Sequence, residues 1–187
     1  MLYQFRKAFI FGHAAEYNPI AANDLGPLSH QLDLGGLAAG AYRQSVKFDF
    51  GHIISGDQSR IPRLWECSVI IEPTSAPNGT SQVHAYLGFS DSPVGSVGNP
   101  GGLSGEDDDW FGYGAASTDA DETTTQLMSL GSATVSADAT EQHLHFNQFT
   151  IRGRYGILVI ANKLNVNFAA SAAEMAVRLK PIFEVDE

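Results

Sequence analysis

Cysteine and long hydrophobic runs are almost absent from this 187-residue sequence. Its single cysteine, Cys67, excludes an intrachain disulfide, and its place on an apolar alternating face predicts a small buried side chain rather than a reactive thiol. No stretch reaches the roughly 18 apolar residues of a membrane-spanning helix. The apolar N-terminus is interrupted by Arg6 and Lys7 and lacks a small-residue cleavage site, so we expect no signal peptide and synthesis in the cytoplasm.

Basic residues are also scarce, with 11 lysines and arginines against 21 aspartates and glutamates, which gives a formal net charge of −10 at pH 7. A chain of this charge is repelled by the phosphate backbone of nucleic acids and by anionic membrane surfaces. We therefore expect neither a nucleic acid nor a membrane as its partner.

Catalytic motifs are missing as well. The sequence contains no Gly-x-Ser-x-Gly motif, and the glycine-rich run at 98–105 lacks the Lys-Ser/Thr ending of a phosphate-binding loop. Aspartate and glutamate are plentiful, but nothing selects a pair for glycoside hydrolysis. We therefore expect a protein that is not an enzyme and holds no cofactor, with a carbohydrate-active enzyme as the least favoured alternative.

What the sequence does contain is an alternation of apolar and polar residues with a period of two, clearest at residues 44–50, 63–72 and 82–90. In the second of these segments, one face holds Trp65, Cys67, Val69 and Ile71. Such segments form sheets with one packed face and one solvated face. The turn pair at 78–79, Asn-Gly, predicts that the second and third segments form a hairpin with a longer loop.

The C-terminal third adds strands at 142–151, 155–161 and 174–185, and a weaker candidate lies at 127–135. The run at 155–161 is apolar throughout, which predicts a central strand covered on both faces. Pro181 lacks a backbone donor, so the last strand is predicted to lie at a sheet edge or to contain a bulge.

Many short strands separated by glycine- and proline-rich turns predict an all-β fold, an antiparallel β-sandwich of the jelly-roll type, over residues 41–187. The only helix-like stretch in the pattern is short and alanine-rich, at residues 169–176. We expect the first 40 residues to form a separate extended arm.

This arm and a glycine- and aspartate-rich loop at 91–122 exceed what a minimal sandwich needs. Loops of this length are uncommon unless they have a function, and exposed apolar residues are a liability for a lone monomer. We therefore expect both segments to make subunit contacts in an assembly, with a homo-oligomer as the expected form. The candidate contact residues are Tyr3, Phe5, Phe9 and Phe11 in the arm and Trp110, Phe111 and Tyr113 in the loop. Alternatively, the rings in the loop stack on the sugar rings of a glycan.

Two groups of side chains carry the residue types of metal ligands. His143 and His145 lie two residues apart on a predicted strand, with Glu141 on the same face, which suits zinc. The acidic run Glu106-Asp-Asp-Asp109 suits calcium by ligand type but does not match the spacing of an EF-hand. A solvated strand face and a solvated loop are the favoured interpretations, so we predict no metal site and leave calcium at 106–109 open.

Several motifs together resemble a group of small, largely uncharacterised virion proteins of tailed bacteriophages, over about residues 40–187. They include Gly40-Ala-Tyr-Arg-Gln-Ser45, Pro73-Thr-Ser-Ala-Pro77, Tyr86-Leu-Gly-Phe-Ser-Asp-Ser92, Asn99-Pro-Gly-Gly-Leu-Ser-Gly105, Arg154-Tyr-Gly-Ile-Leu-Val-Ile160 and Lys180-Pro-Ile-Phe-Glu184. The resemblance implies a β-sandwich component of a virion and carries over no catalytic residues. We therefore expect a capsid decoration or cement protein held by contacts with other virion proteins, or alternatively a tail or fibre module that binds a host surface glycan.

Overall fold

The computed structural model describes residues 8–12, 30–51, 64–170 and 175–182. In these ranges it contains one α-helix, α1 (Ser117–Thr123), and short 3₁₀ turns at Pro100–Gly102 and Thr124–Gln126. The strands of the described residues are β1 (Phe9–Gly12), β2 (His30–Gln31), β3 (Tyr42–Gln44), β4 (Phe48–Asp49), β5 (Leu64–Ile71), β6 (Gln82–Ser90), β7 (Asp108–Asp109), β8 (Met128–Thr134), β9 (Gln142–His145), β10 (Phe149–Thr150), β11 (Tyr155–Lys163) and β12 (Ala176–Ile182).

These strands form two sheets that pack face to face, so the predicted all-β sandwich is confirmed. Sheet A has the order β10-β5-β12-β1-β2, and β9 also pairs with β5. Sheet B has the order β7-β3-β11-β6-β8, and β4 pairs with β11 next to β3. The pairings are antiparallel except for the short parallel pair of β1 and β2.

Alternate side chains of both sheets meet between them in an inner core. The alternating face of β5, from Trp65 through Cys67 to Ile71, is buried as predicted. Burial raises the pKa of the Cys67 thiol well above its ordinary value, which fits an unreactive side chain. Fully buried members of the inner core include Phe11, Trp65, Val69, Ile71, Val83, Leu87, Leu158, Ile160, Val177 and Leu179.

Strand β11 is apolar along nearly its whole length because it is covered on both faces. Leu158 and Ile160 point into the inner core, whereas Ile157, Val159 and Ala161 point to the opposite side of sheet B. There they belong to a second, outer hydrophobic cluster. The prediction of a central strand at 155–161 is therefore correct, and the outer cover is described below.

The predicted hairpin of the 63–72 and 82–90 segments is wrong. Both segments are strands, β5 and β6, but β5 pairs within sheet A and β6 pairs within sheet B. The residues between them therefore cross from one sheet to the other. The turn pair at 78–79 does make a turn, closed by the N–H of Ser81 on the carbonyl of Asn78 at 2.8 Å. It turns the chain without bringing its flanking strands into one ladder.

Two strands predicted as continuous are interrupted. The segment 44–50 is divided into β3 and β4, because the Ser45 hydroxyl accepts the Leu158 N–H at 3.0 Å in place of a regular ladder bond. Likewise, the segment 142–151 is divided into β9 and β10.

Strand β12 does not lie at an edge, so that prediction from Pro181 is also wrong. It lies between β5 and β1, and its register with β5 is continuous from Ala176 to Ile182. The proline lies beyond the last described pair with β1, Phe9 with Leu179. The helix-like stretch at 169–176 ends in this strand, which begins at Ala176. Residues 171–174 of that stretch lie outside the described residues.

The first 40 residues contribute two strands of sheet A. Phe11 of β1 is fully buried in the inner core, and Phe9 packs against it from a half-buried position. The described part of the predicted arm is therefore built into the sandwich. No helix in the described ranges is long and apolar enough to cross a bilayer.

Candidate functional site

Residues 91–127, which connect β6 to β8, form what we call the outer layer. Residues 91–122 were predicted as one long loop, but the outer layer includes strand β7, helix α1 and both 3₁₀ turns. The Asp119 carboxylate accepts the N–H groups of Ala115 and Ala116, each at 3.0 Å, and so fastens the chain where the helix begins. This acidic residue in the first turn is the one sequence signal of α1, and it is weak in a seven-residue helix.

Trp110 anchors the outer layer to sheet B. Its side chain is buried, its ring meets Tyr42 edge-on at 5.5 Å, and its indole N–H donates to the Gly101 carbonyl at 2.8 Å. Leu103 and Leu127 complete the cover over the outer side of β11. Trp110 is therefore a core residue of its own chain, and it is not available to stack on a sugar ring.

The acidic run at 106–109 is fixed by ion pairs with β3. Arg43 Nε donates to Asp107 Oδ1 at 2.9 Å, and Arg43 Nη1 lies 3.3 Å from Asp109 Oδ1. The same Asp107 carboxylate accepts the Asp33 N–H through both oxygens. Burial lowers the pKa of Arg43, but its hydrogen bonds and charge interactions with the two aspartates outweigh this and raise the pKa above its ordinary value. Two carboxylates of the run thus share one guanidinium as their ion-pair partner.

The two candidate groups of metal ligands, at 141–145 and 106–109, are not gathered into clusters. Among the described residues, no three histidine, cysteine, aspartate or glutamate side chains are grouped so that they could hold a metal ion. His143 and His145 are exposed on β9, and His143 Nε2 lies 2.7 Å from Glu141 Oε1.

A polar cluster, which we call the Asp121 latch, fastens α1 to sheet B. Asp121 accepts hydrogen bonds from the Tyr42 hydroxyl and from Lys163 Nζ, the latter at 2.7 Å. The same ammonium lies 4.4 Å from the centre of the Tyr42 ring. Desolvation raises the pKa of Asp121, but the two hydrogen bonds outweigh it and hold the pKa below its ordinary value. Burial, reinforced by Asp121, raises the pKa of Tyr42 well above its ordinary value.

His84 and Tyr86 lie next to the latch on β6. His84 Nδ1 is 3.2 Å from the Tyr86 hydroxyl, and Nε2 is 3.2 Å from Gln82 Oε1. Burial and the charge of Lys163 lower the pKa of His84. Since the donors of Tyr42 and Lys163 are both directed at one carboxylate, the arrangement suits fastening of a helix rather than transfer of protons.

The outer layer also carries the large hydrophobic side chains that are exposed. Among the described residues these are Val94, Val97 and Tyr113, with 55%, 51% and 69% of their surface exposed. The Tyr113 hydroxyl lies 3.1 Å from Gln126 Oε1, so the exposed ring is held in place. Phe111 is half-buried. Contiguous exposed apolar patches are typical of interaction surfaces, and Val94 and Val97 lie in one turn.

The charge of the outer layer is of one sign. Residues 91–127 contain no lysine or arginine, and their eight acidic residues are Asp91, Glu106, Asp107, Asp108, Asp109, Asp119, Asp121 and Glu122. Arg43 on β3 pairs with two of these carboxylates, and Lys163 on β11 pairs with one, so two positive charges face the eight negative ones. Most of the net charge of −10 is therefore concentrated in a single segment of the chain.

The predicted contact residues thus fall into three groups. Tyr3 and Phe5 lie outside the described residues. Phe9, Phe11 and Trp110 pack within their own chain. Phe111 and Tyr113 lie at the surface of the outer layer, where Phe111 is half-buried and Tyr113 is exposed. Sequence reasoning missed Val94 and Val97, because single valines in a glycine- and serine-rich turn give no periodic signal.

No family model matches this chain, and no curated protein matches it. The resemblance to virion proteins therefore rests on its sequence motifs alone.

Proposed function

We propose that this chain is a non-enzymatic structural protein that docks onto another protein chain through its outer layer. The observation that carries the proposal is the position of Val94, Val97 and Tyr113, the exposed large hydrophobic side chains of the described residues, on one fixed segment. A rigid surface with apolar side chains at its tips loses little conformational entropy on binding.

The charge of the outer layer defines the chemistry of the partner. Five of its eight carboxylates have no lysine or arginine pair among the described residues, so a partner surface rich in lysine and arginine fits it best. Such complementarity speeds association at low ionic strength and weakens as salt screens the charges.

The sequence resemblance extends the proposal to the setting. A virion component of a tailed bacteriophage, such as a capsid decoration or cement protein, needs a stable body and a docking surface. The sandwich supplies the first and the outer layer supplies the second. The partners would be other virion proteins that present a basic surface, and the protein would be made in the host cytoplasm and located in the virion.

The test is incorporation into particles. Tagged wild-type chain and variants are produced in the host during particle assembly, particles are purified on a density gradient, and the bound chain is measured by quantitative mass spectrometry. We expect the double variant Val94→Asp/Val97→Asp to lower incorporation about tenfold or more, because each interface anchor contributes on the order of 1–2 kcal/mol. Thr150→Asp, at an exposed position on the outer side of sheet A, is the matched control and should incorporate normally.

Two outcomes would contradict the proposal in different ways. If the wild-type chain is not enriched in particles, the virion setting is wrong. If the wild-type chain and the double variant are enriched equally, while both remain folded by circular dichroism, the outer layer is not the docking surface.

A second function is favoured by one observation, the exposed ring of Tyr113. Its hydroxyl contacts Gln126, its ring is 69% exposed, and carboxylates lie on the same layer, which is the chemistry of a surface that stacks on a sugar ring. In this alternative the protein is a tail or fibre module for a host glycan. Glycan-array binding that is lost in Tyr113→Ala, and kept in Val94→Asp/Val97→Asp, would favour it over protein docking.

A further inference from the structure

Lys47 contacts the outer layer from the segment between β3 and β4. Its backbone N–H donates to the Gly105 carbonyl at 2.9 Å. Its side chain extends into residues 91–97, which we call the valine turn. This turn follows Ser90 at the end of β6, and it is closed by the N–H of Val97 on the carbonyl of Val94 at 3.2 Å.

Four oxygen atoms surround the Lys47 ammonium. The carbonyl oxygens of Ser92, Val94 and Val97 lie 3.1, 2.6 and 3.0 Å from Nζ. The fourth is the Ser90 hydroxyl at 3.2 Å. The Ser90 hydroxyl also bonds to the turn directly, since it donates to the Val97 carbonyl at 3.1 Å and accepts the Ser92 N–H at 3.2 Å. We call these four oxygen atoms the oxygen ring. One ammonium therefore ties the base, the middle and the end of the turn together.

Three carbonyl dipoles that converge on one point repel one another unless a cation lies between them. None of the four acceptors is a carboxylate, and divalent calcium and magnesium are held chiefly by charged oxygens. A ring of neutral oxygens instead suits a singly charged cation, as where carbonyl oxygens replace the hydration shell of potassium. Taking the ammonium out of water is costly, and burial accordingly lowers the pKa of Lys47.

Two of the four oxygens belong to the residues whose side chains are exposed. Val94 and Val97 turn their carbonyls toward the ammonium and leave 55% and 51% of their surface exposed. The contact that fixes their backbone therefore also fixes how the two side chains are presented.

We propose that the valine turn and Ser90 form a binding site for a monovalent cation, that the Lys47 ammonium of the same chain occupies it, and that this occupancy holds Val94 and Val97 in the docking conformation. The cation site is argued from the four oxygen atoms around the ammonium and does not depend on the proposed function. Its role in docking rests on the proposed function of the outer layer.

The first measurement is amide hydrogen exchange of the full chain across residues 92–98, compared between wild type and Lys47→Met. Methionine keeps an unbranched apolar stem but supplies no cation. We expect exchange of the Val97 amide to be about tenfold faster or more in the variant, because its hydrogen bond is lost whenever the turn opens. Exchange in β6 and β11 should stay at the wild-type rate, which shows that the sandwich is intact. Wild-type exchange in the turn of Lys47→Met would overturn the proposal.

The second measurement tests for a cation site rather than simple packing. Lys47→Ala leaves room for a free ion, and its exchange is measured in ammonium chloride, potassium chloride and tetramethylammonium chloride at equal ionic strength. We expect ammonium or potassium to slow exchange in the turn toward the wild-type rate. Tetramethylammonium should have no such effect, because it is too large and donates no hydrogen bond. Equal exchange in all three salts would overturn the assignment of a cation site. If Lys47→Ala does not fold, the Lys47→Met comparison still decides the role of the charge.

Incorporation into particles separates this inference from the proposed function. Faster exchange in Lys47→Met with reduced incorporation supports both. Faster exchange with unchanged incorporation supports the role of the Lys47 ammonium in holding the turn and contradicts docking through the valine turn. Unchanged exchange contradicts the cation site whatever the incorporation.

Discussion

The two tryptophans of this protein are both fully buried, but on opposite sides of sheet B. Trp65 lies in the inner core, among side chains of strands from both sheets. Trp110 lies in the outer cluster, whose other members on the outer layer come from turns and a short helix. Around Trp65, the regular hydrogen bonds between neighbouring strands fix the backbone. Around Trp110, the backbone is fixed by a few long-range polar contacts, chiefly those of Arg43, Lys47 and Asp121.

This difference suggests that the two regions differ in stability as well as in construction. A cluster held by strand ladders opens only when the whole sandwich unfolds. A layer held by a few polar contacts can open by itself, at a lower free energy. When the layer opens in this way, the sandwich beneath it stays closed.

The largest effect is expected from removing the inner tryptophan. Trp65→Ala should lower the free energy of unfolding by about 3–5 kcal/mol, because it leaves a large cavity between sheets that cannot collapse. The measurement is urea denaturation followed by circular dichroism. The loss should appear as one cooperative shift of the whole transition.

Trp110→Ala is the matched variant in the outer cluster, and it should lower the global free energy of unfolding by only about 2–3 kcal/mol. The layer can loosen locally and leave the inner core closed. Amide exchange should rise across residues 100–127 but not in β5 or β12. An equal global loss in the two variants, with uniform exchange, would mean that the chain has a single cooperative core and that the comparison fails.

The second prediction concerns the backbone of the outer layer. Gly105 has φ +79°, and a Cβ there would lie 2.3 Å from the Gly95 carbonyl oxygen. Gly105→Ala should therefore cost about 2 kcal/mol or more, since it combines a left-handed conformation with a backbone clash. The matched control is Gly36→Ala, where φ is +69° but nothing lies within 4 Å, and about 1 kcal/mol is expected. Chemical denaturation measures both. If the two variants lose equal stability, the close approach at Gly105 is relieved by movement of the turn.

The third prediction weakens the Asp121 latch. Tyr42→Phe removes the hydroxyl that donates to Asp121 and keeps the ring that packs on Trp110. We expect a loss of about 1 kcal/mol, the ordinary net value of one hydrogen bond, with faster exchange confined to α1. A loss spread over both sheets would contradict the assignment of the latch to the helix alone.

The contrast between the clusters also explains what the sequence could predict. The inner core follows from period-two alternation, so the segments that became β5, β6 and β11 were predicted nearly to the residue. Which strands pair is decided by distant parts of the chain. The assignment of β5 and β6 to different sheets therefore could not be inferred from the turn between them.

The sequence of the outer layer shows no regular alternation of apolar and polar residues from which its structure could be predicted. Trp110, Leu103 and Leu127 are separated by glycine, serine and aspartate, and they converge only through contacts with sheet B. The acidic run appears solvated in the sequence because its partner, Arg43, lies 64 residues before Asp107. Lys47 is one of the polar residues of the alternating segment 44–50, and its contacts could not be predicted because the carbonyl oxygens converge only after the turn has folded around it.

The smallest effect is expected from protonation beside the latch. Burial, with the charge of Lys163, lowers the pKa of His84 below its ordinary 6.5. The unfolded chain therefore binds this proton more readily, and the free energy of unfolding should fall as the pH drops through about 6.5 toward the folded pKa. In His84→Gln the free energy of unfolding should depend less steeply on pH. Part of the dependence should remain, because burial also lowers the pKa of His30. Nuclear magnetic resonance titration of His84 checks the cause directly. Lys163→Met should raise the pKa of His84. An unchanged pKa would mean that the charge of Lys163 does not contribute to the shift.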